Sequence, residues 1–332
     1  MSASTSTVEV KGPDGIILQF VRASQPSAQQ STIDEIAVPK EVIKSRKSSI
    51  RLFCTTCSTI LAKQQTCQRC KSTYYCSKDC QRKDWSNHKA TCTPVERAAG
   101  ISKLLSAIVA NDKLMVNLAL AAAIDLDLAN DKRGLGSRIP FLICVNLGIE
   151  PSNIHDFAKL LFANPVDPKL EGMVQFNNLQ SQIPGVPPYT ALEERFVDMW
   201  KQARRRLPKD DLVGMMEVAY NVNPLQAINF PFPVPSGIFD ILRQQETPFK
   251  YVSAFTGAIM ERPLDVASCL QDMNIHIRSD KKNQLQLRTL MTEADKEIIR
   301  GVTDRTKNTN TFRFIREKIN REDLYTDIRL VL

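Results

Sequence analysis

From residue 94 onward, apolar positions recur every three or four residues for most of the chain, the period of one helical face. Ala98, Ile101, Leu105 and Ile108 form one such stripe, and Tyr189, Leu192, Phe196, Trp200, Ala203 and Leu207 form another. End signals frame several helices. Ser152 is placed to cap "NIHDFAKLLF", Thr292 to Asp295 read as a capping box before "KEIIR", and Pro263 suits the first turn of "PLDVASCLQDMNIHI". Between them lie the short extended runs "PFLICVNLG", "MVQFNNL" and "QLQLRTLM", while the proline-rich "QIPGVPPY" and "NFPFPVPSG" read as loops. Ahead of this region, "STVEVKGPDGIILQFV" places two β-prone runs around Gly12-Pro13-Asp14-Gly15, a hairpin that needs a packing partner to be stable. The pattern predicts an α+β fold: residues 1–50 hold the hairpin, a polar linker and a basic approach, "PKEVIKSRKSSIR", read as a solvated segment. Residues 94–332 form a mainly helical domain.

Residues 51–93 follow neither period. They carry the series C-x2-C-x9-C-x2-C-x5-C-x3-C-x7-H-x3-C, which offers eight ligands: Cys54, Cys57, Cys67, Cys70, Cys76, Cys80, His88 and Cys92. A two-residue gap lets a tight turn aim two sulfurs at one ion. A three-residue gap sets two ligands on one helical face. Two tetrahedral zinc ions need eight ligands, and with none left for water both sites are structural rather than catalytic. Seven cysteines cannot pair completely as disulfides, the first residues lack the apolar core of a secretory signal, and a redox CxxC needs no second pair or histidine. Spacing alone leaves open which ligand pairs share an ion.

With "YYC" before the fifth cysteine and "CQRKDWSNHKATC" closing the series, the stretch resembles a MYND-type zinc finger. The resemblance implies an interleaved arrangement: Cys54, Cys57, Cys76 and Cys80 on one zinc, Cys67, Cys70, His88 and Cys92 on the other. It also implies recognition of a protein partner through a proline-rich peptide, with Gln81 and Trp85 as docking positions. The chain departs from some peptide binders at Gln68, where they carry a small serine. It also carries its own proline-rich stretch, "PFPVP" from Pro231 to Pro235, a candidate occupant of that groove. The region after the finger loosely resembles the uncharacterised region that follows MYND fingers in a group of fungal proteins.

Charge argues against nucleic acid as the partner. Of a net +8, residues 51–92 contribute +6, but seven zinc-bound thiolates and two dications would bring that to about +3. The basic side chains are scattered among ligands rather than gathered on a recognition helix. The longest apolar run, Leu114 to Leu128, is too short and interrupted to span a bilayer.

Catalytic signals are sparse. "GLGSR" lacks the third glycine of a dinucleotide loop and reads as a turn, and "DLDLAND" lacks the glycine and glutamate of an EF-hand. His155 and His276 read as packing or surface residues, and Cys144 and Cys269 as small buried hydrophobes. MYND fingers also occur in SET-domain methyltransferases, but the Asn-His motif of that class is found here only at Asn87-His88, inside the zinc ligand series, and no glycine-rich SET start precedes the finger. The sequence reading is therefore an intracellular, cytoplasmic or nuclear zinc-binding adapter without catalytic residues, with an uncharacterised enzyme in residues 95–332 as the first alternative and nucleic-acid binding as the second.

Overall fold

The computed structural model describes residues 4–12, 15–24, 39–49, 53–61, 65–92, 94, 101–220, 223–244, 249–252 and 259–331. At its centre is a five-stranded mixed sheet in the order β11-β6-β5-β7-β8, built from β5 (Leu142–Pro151), β6 (Glu171–Gln182), β7 (Leu212–Tyr220), β8 (Asn223–Val234) and β11 (Arg288–Leu290), with β9 (Phe249–Val252) and β10 (Ile259–Arg262) paired to each other apart from it. β5 and β7 run parallel, and the other neighbours are antiparallel. The fold is thus mixed helix and sheet with a small finger lobe, as the hydrophobic pattern implied, but the sheet is larger than the three extended runs suggested. "LVGMMEVAY" lacks the alternation of a half-exposed strand because both faces of β7 are covered. Met216 and Val218 enter the main core, while Val213 and Met215 enter a second cluster with Met199 and Trp200. Gly214 lies between them because a Cβ there would run into the buried Phe141 ring.

The reading of "NFPFPVPSG" as a loop is corrected: the segment is strand through Val234. Proline is tolerated because β8 is an edge strand, where Pro231 and Pro233 owe no N–H to a further neighbour. Phe232 and Val234, fully buried, point into the core from the other face.

Helices cover both faces. α4 (Asp112–Asp125), starting at an Asn111 cap, packs on α7 (Gly237–Gln244) and on α8 (Val266–Ser279), the latter lying on β6. α6 (Glu194–Arg204) crosses β7 and β8 on the opposite face and carries Phe196, Trp200 and Ala203 inward. Tyr189, Leu192 and Leu207 of the same stripe fall outside the helix, and the Trp200 indole donates to the Val213 carbonyl (2.6 Å). α3 (Ile101–Val109) contains the first stripe apart from Ala98, which lies outside the described residues. The Thr292–Asp295 capping box opens α9 (Glu293–Arg300) as read. Two other end signals are displaced by a residue or more. Asn153, not Ser152, caps α5 (Ile154–Leu161), and Asp265 caps α8, which leaves Pro263 ahead of the helix rather than in its first turn; in both, a side chain that accepts from the third amide sets the start. No single helix among the described residues is long and apolar enough to cross a bilayer.

The N-terminal hairpin pairs β1 (Ser4–Lys11) with β2 (Ile17–Ser24), and Pro13 and Asp14 of its turn lie outside the described residues. It docks through Val10, fully buried in the main core, and through Asn164, whose side-chain amide donates to the Lys11 carbonyl (2.8 Å) and accepts its N–H (3.2 Å). The basic approach is likewise not merely solvated. Part of it is α1 (Lys40–Ser49), which buries Ile43 and reaches α4 through Arg46, bonded to Asp112 (2.8 Å) and to the Ala110 carbonyl (3.2 Å). "GLGSR" is the turn expected, with the Asp131 carboxylate accepting from the Gly134 and Leu135 amides (both 2.8 Å).

The C-terminal helices are tied to the sheet by buried charge. Glu150 on β5 contacts Lys318 of α10 (Asn310–Arg321), and its other oxygen accepts from Arg278 (2.8 Å) and the Tyr325 hydroxyl (2.6 Å). Lys318 also donates to Asn177 (3.0 Å), and Asn274 brackets Phe176 by accepting its N–H (2.7 Å) and donating to its carbonyl (2.9 Å). Glu150→Ala would leave the buried Lys318 and the half-buried Arg278 without this carboxylate and should cost about 3–5 kcal/mol, seen as a lower urea midpoint. A change within about 0.5 kcal/mol would show the cluster contributes little.

His276 on α8 titrates against folding. Burial, reinforced by Lys113 and opposed by Asp272, lowers it to about 4. In the unfolded chain it sits near 6.5, so as pH falls the unfolded state takes up a proton first and stability is lost between about pH 6.5 and 4. The full loss is roughly 3 kcal/mol. His276→Gln should flatten that part of the stability–pH curve relative to the parent, and parallel curves would contradict the assignment.

Candidate metal centres

The finger has two copies of one turn. In the first, the Ser58 amide donates to the Cys54 carbonyl (2.9 Å) and the Cys54 amide to Thr59 (2.9 Å). In the second, Lys71 donates to Cys67 (2.9 Å) and Cys67 to Thr73 (3.0 Å). The residue after each second cysteine, Ser58 or Lys71, takes a left-handed conformation (φ 55° and 52°). That costs about 1 kcal/mol or more for a residue with a Cβ, and it turns both sulfurs of a knuckle inward. A two-residue ladder of β3 (Gln65–Thr66) and β4 (Tyr74–Tyr75) brings the chain back to α2 (Lys78–Thr91), capped by the Ser77 hydroxyl accepting the Cys80 amide (3.2 Å). Cys76 and Cys80 thus flank the helix start, and His88 and Cys92 lie at its end.

The two ligand sets interleave as the resemblance implied. Cys54, Cys57, Cys76 and Cys80 converge in one cluster, and Cys67, Cys70, His88 and Cys92 in the other, with every ligand atom within 4.8 Å of its companions. Sulfur separations are 3.6 Å for Cys57–Cys76, 3.4 Å for Cys76–Cys80 and 3.7 Å for Cys67–Cys92, and His88 Nε2 is 3.5 Å from Cys70 Sγ. A disulfide would need about 2.05 Å. A tetrahedron with Zn–S of about 2.3 Å and Zn–N of about 2.05 Å has edges near 3.8 Å between sulfurs and near 3.6 Å between sulfur and nitrogen. Both clusters therefore fit zinc. The other ring nitrogen of His88 faces the Thr73 hydroxyl (3.5 Å), which orients the imidazole.

In each cluster one thiol is drawn down and another is pushed up to about 12: Cys76 by its contacts with Cys80 and Cys57, and Cys92 by burial and Cys67. The Thr59 hydroxyl beside Cys57 (3.3 Å) outweighs burial and draws that thiol to about 6. At Cys67, burial pushes the thiol up but loses to the Cys70 and Arg69 amides and to His88, again giving about 6. The environments of the two clusters differ. The second set is buried throughout, whereas Cys57 and Cys76 of the first are exposed. Cys144 and Cys269 stand apart from both clusters, each pushed up to about 12, chiefly by burial, as suits an inert packing residue.

Gln81 and Trp85 lie four residues apart on α2 and so share a face. Trp85 is 40% exposed, its ring centroid 6.1 Å from that of His88 in an edge-to-face arrangement, and Gln81 is half-buried. Contacts that hold the finger to the rest of the chain had no signal in the sequence. Ser102 donates to the Lys71 carbonyl (2.9 Å), Arg195 to the Thr55 carbonyl (3.3 Å), and Phe53 packs against the Trp200 cluster. Each depends on tertiary approach, and none falls in a motif.

Residues 97–325, more than half the chain, match the family model described as "Domain of unknown function (DUF8205)". The chain belongs to the DUF8205 family. Ahead of the DUF8205 domain, residues 54–92 match the MYND finger model. Curated relatives include Tudor domain-containing protein 1 of Mus musculus (56% identical over 32 residues, 10% of this chain and 3% of the relative). SET domain and MYND-type zinc finger protein 6 of Schizosaccharomyces pombe is 36% identical over 70 residues (19% and 14%). SET domain-containing protein 14 of Caenorhabditis elegans is 30% identical over 71 residues (21% and 15%). The chain thus spans only 3% to 15% of the length of these relatives. No solved structure matches.

Metal analysis of purified protein should return about two zinc equivalents, and a chelator should remove them in two steps, the half-exposed first set ahead of the buried second. Cys67→Ser should lose the second equivalent and the finger's order while most helical signal persists. A single equivalent in the parent protein would contradict the two-site assignment.

Proposed function

We propose that this DUF8205 protein is an adapter whose zinc finger recruits a protein partner by binding an extended proline-rich segment across Gln81 and Trp85. The observation that carries this reading is the placement of Trp85. A large aromatic side chain on a lobe with almost no apolar interior stays 40% exposed, yet it is steadied from beneath by a zinc ligand. Burying it would have served stability; leaving it open serves recognition, since rigid aromatic anchors contribute strongly to interfaces. Proline-rich segments are already extended and lose little conformational entropy on docking to an aromatic ledge.

The chain's own "PFPVP" is not available as a competing occupant. Pro231 and Pro233 pair with Met215 and Val213 within the sheet, and Phe232 between them is fully buried. Methyl transfer is not adopted, because the matches to SET-named relatives reach only 14% and 15% of those proteins and the Asn-His motif of that class occurs only within the metal site.

A panel of proline-rich peptides titrated onto the zinc-loaded chain tests the proposal. Trp85→Ala should weaken the best peptide roughly thirtyfold, corresponding to loss of a hot-spot residue of about 2 kcal/mol, with zinc content unchanged. Loss of zinc together with binding would make Trp85 a packing residue. Unaltered binding would place the peptide on another surface.

A further inference from the structure

The finger and the DUF8205 domain enclose a cavity of about 740 Å³, within the range of small-molecule sites. Phe53 and Thr55 of the first knuckle form one wall. Leu105 and Val109 of α3, Phe196 and Met199 of α6, and Phe230 and Pro231 of β8 form the others. Neither Gln81 nor Trp85 is among the described residues that line it, so it is separate from the peptide ledge proposed above.

The walls are mainly apolar, and several of the polar side chains among them are already committed. Ser72, Ser102 and Ser106 line the cavity, but their hydroxyls donate to the carbonyls of Cys70 (2.9 Å), Lys71 (2.9 Å) and Ser102 (2.8 Å). Their donors are spent within the protein. Two of the three lining charges are also matched: Asp112 pairs with Arg46 (2.8 Å) and Arg195 with Glu193 (2.8 Å). Arg206, exposed at the rim, has no ion-pair partner among the described residues. A predominantly apolar chamber with one uncommitted cation at its mouth complements a molecule with an apolar body and one negative charge.

The same wall disfavours a peptide strand. β8 is the sheet edge beside the cavity, and a strand added there would rely on outward-facing amides. At Pro231 and Pro233 those amides do not exist, so the ladder would lack donors at two alternate positions.

We propose that the cavity between finger and DUF8205 domain binds an apolar small molecule bearing a single acidic group, its body held between α3, α6 and β8 and its head by Arg206. Because the finger supplies one wall, an occupied cavity couples this ligand to the finger's attachment.

The test uses the zinc-loaded full chain, a dansyl-labelled undecanoic acid as probe and its uncharged methyl ester as control. Trp200 adjoins the lining residues Met199 and Val213 and so lies within energy-transfer range of a bound dansyl group. The acid should bind saturably at one site with sensitised dansyl emission. Filling the chamber by Ala203→Phe should weaken both probes at least about tenfold. Ala227→Phe, on the β8 wall, gives a second filling variant should the first lose native circular dichroism or zinc. Arg206→Glu should weaken the acid roughly fivefold and leave the ester unchanged. Absence of saturable binding, or binding indifferent to a correctly folded filling variant, would overturn the proposal. So would equal loss of acid and ester on Arg206→Glu, or displacement of the probe by a proline-rich peptide, which would make the cavity a peptide site.

Discussion

Metal ligation is the interaction on which the arrangement depends. Among the described residues of 54–92 the buried cluster consists of four cysteines and Tyr75, with only Leu61 and Cys80 packed against it. Such a lobe cannot offset the entropy of ordering its chain by apolar burial. Two tetrahedral sites supply what a core would, and they tolerate the left-handed residues at Ser58 and Lys71. The consequence extends past the lobe. The carbonyls of Thr55 and Lys71 that receive Arg195 and Ser102 belong to the two knuckles, so the surface offered to the larger domain is itself shaped by the ligands.

The larger domain solves a different problem. Its sheet is covered on both faces near β7, and the two coverings are unlike. One is the main core beneath α4 and α8. The other is the small Trp200 cluster beneath α6, to which Phe53 of the finger adds. The finger therefore completes a layer that the domain begins. A helix, an edge strand and a metal-held loop approach from three directions and do not close completely, which explains the space left between them.

Much of this was legible in the chain. Ligand spacing identified eight residues that converge as two quartets, because the geometry of a knuckle or of one helical turn is local. The capping box at Thr292 and the hairpin around Gly12 to Gly15 were legible for the same reason. What misled was always non-local. β8 looked like a loop because proline ordinarily breaks strands, and only its position at the sheet edge permits it there. β7 showed no alternation because each of its faces has its own helix. Asn153 displaced Ser152 as a cap because Ser152 instead donates to Glu171 across the β5–β6 connection (3.1 and 2.8 Å). Which pairs share an ion came from family resemblance and not from spacing, since a sequential and an interleaved fold of the same eight ligands have identical intervals.

The buried pair of Glu150 and Lys318 bears on how this family can diversify. Each residue leans on the other: without Glu150, Lys318 would lose its nearest carboxylate in an interior that water does not reach, and without Lys318, Glu150 would keep only Arg278 and Tyr325. Their codons lie far apart, so a drifting lineage would have to pass through a poorly folded intermediate to exchange them for a hydrophobic pair. A domain that is only marginally stable has little room for that step. Descendants are thus expected to keep both residues or to have lost both, with Arg278 and Tyr325 changing in the same lineages.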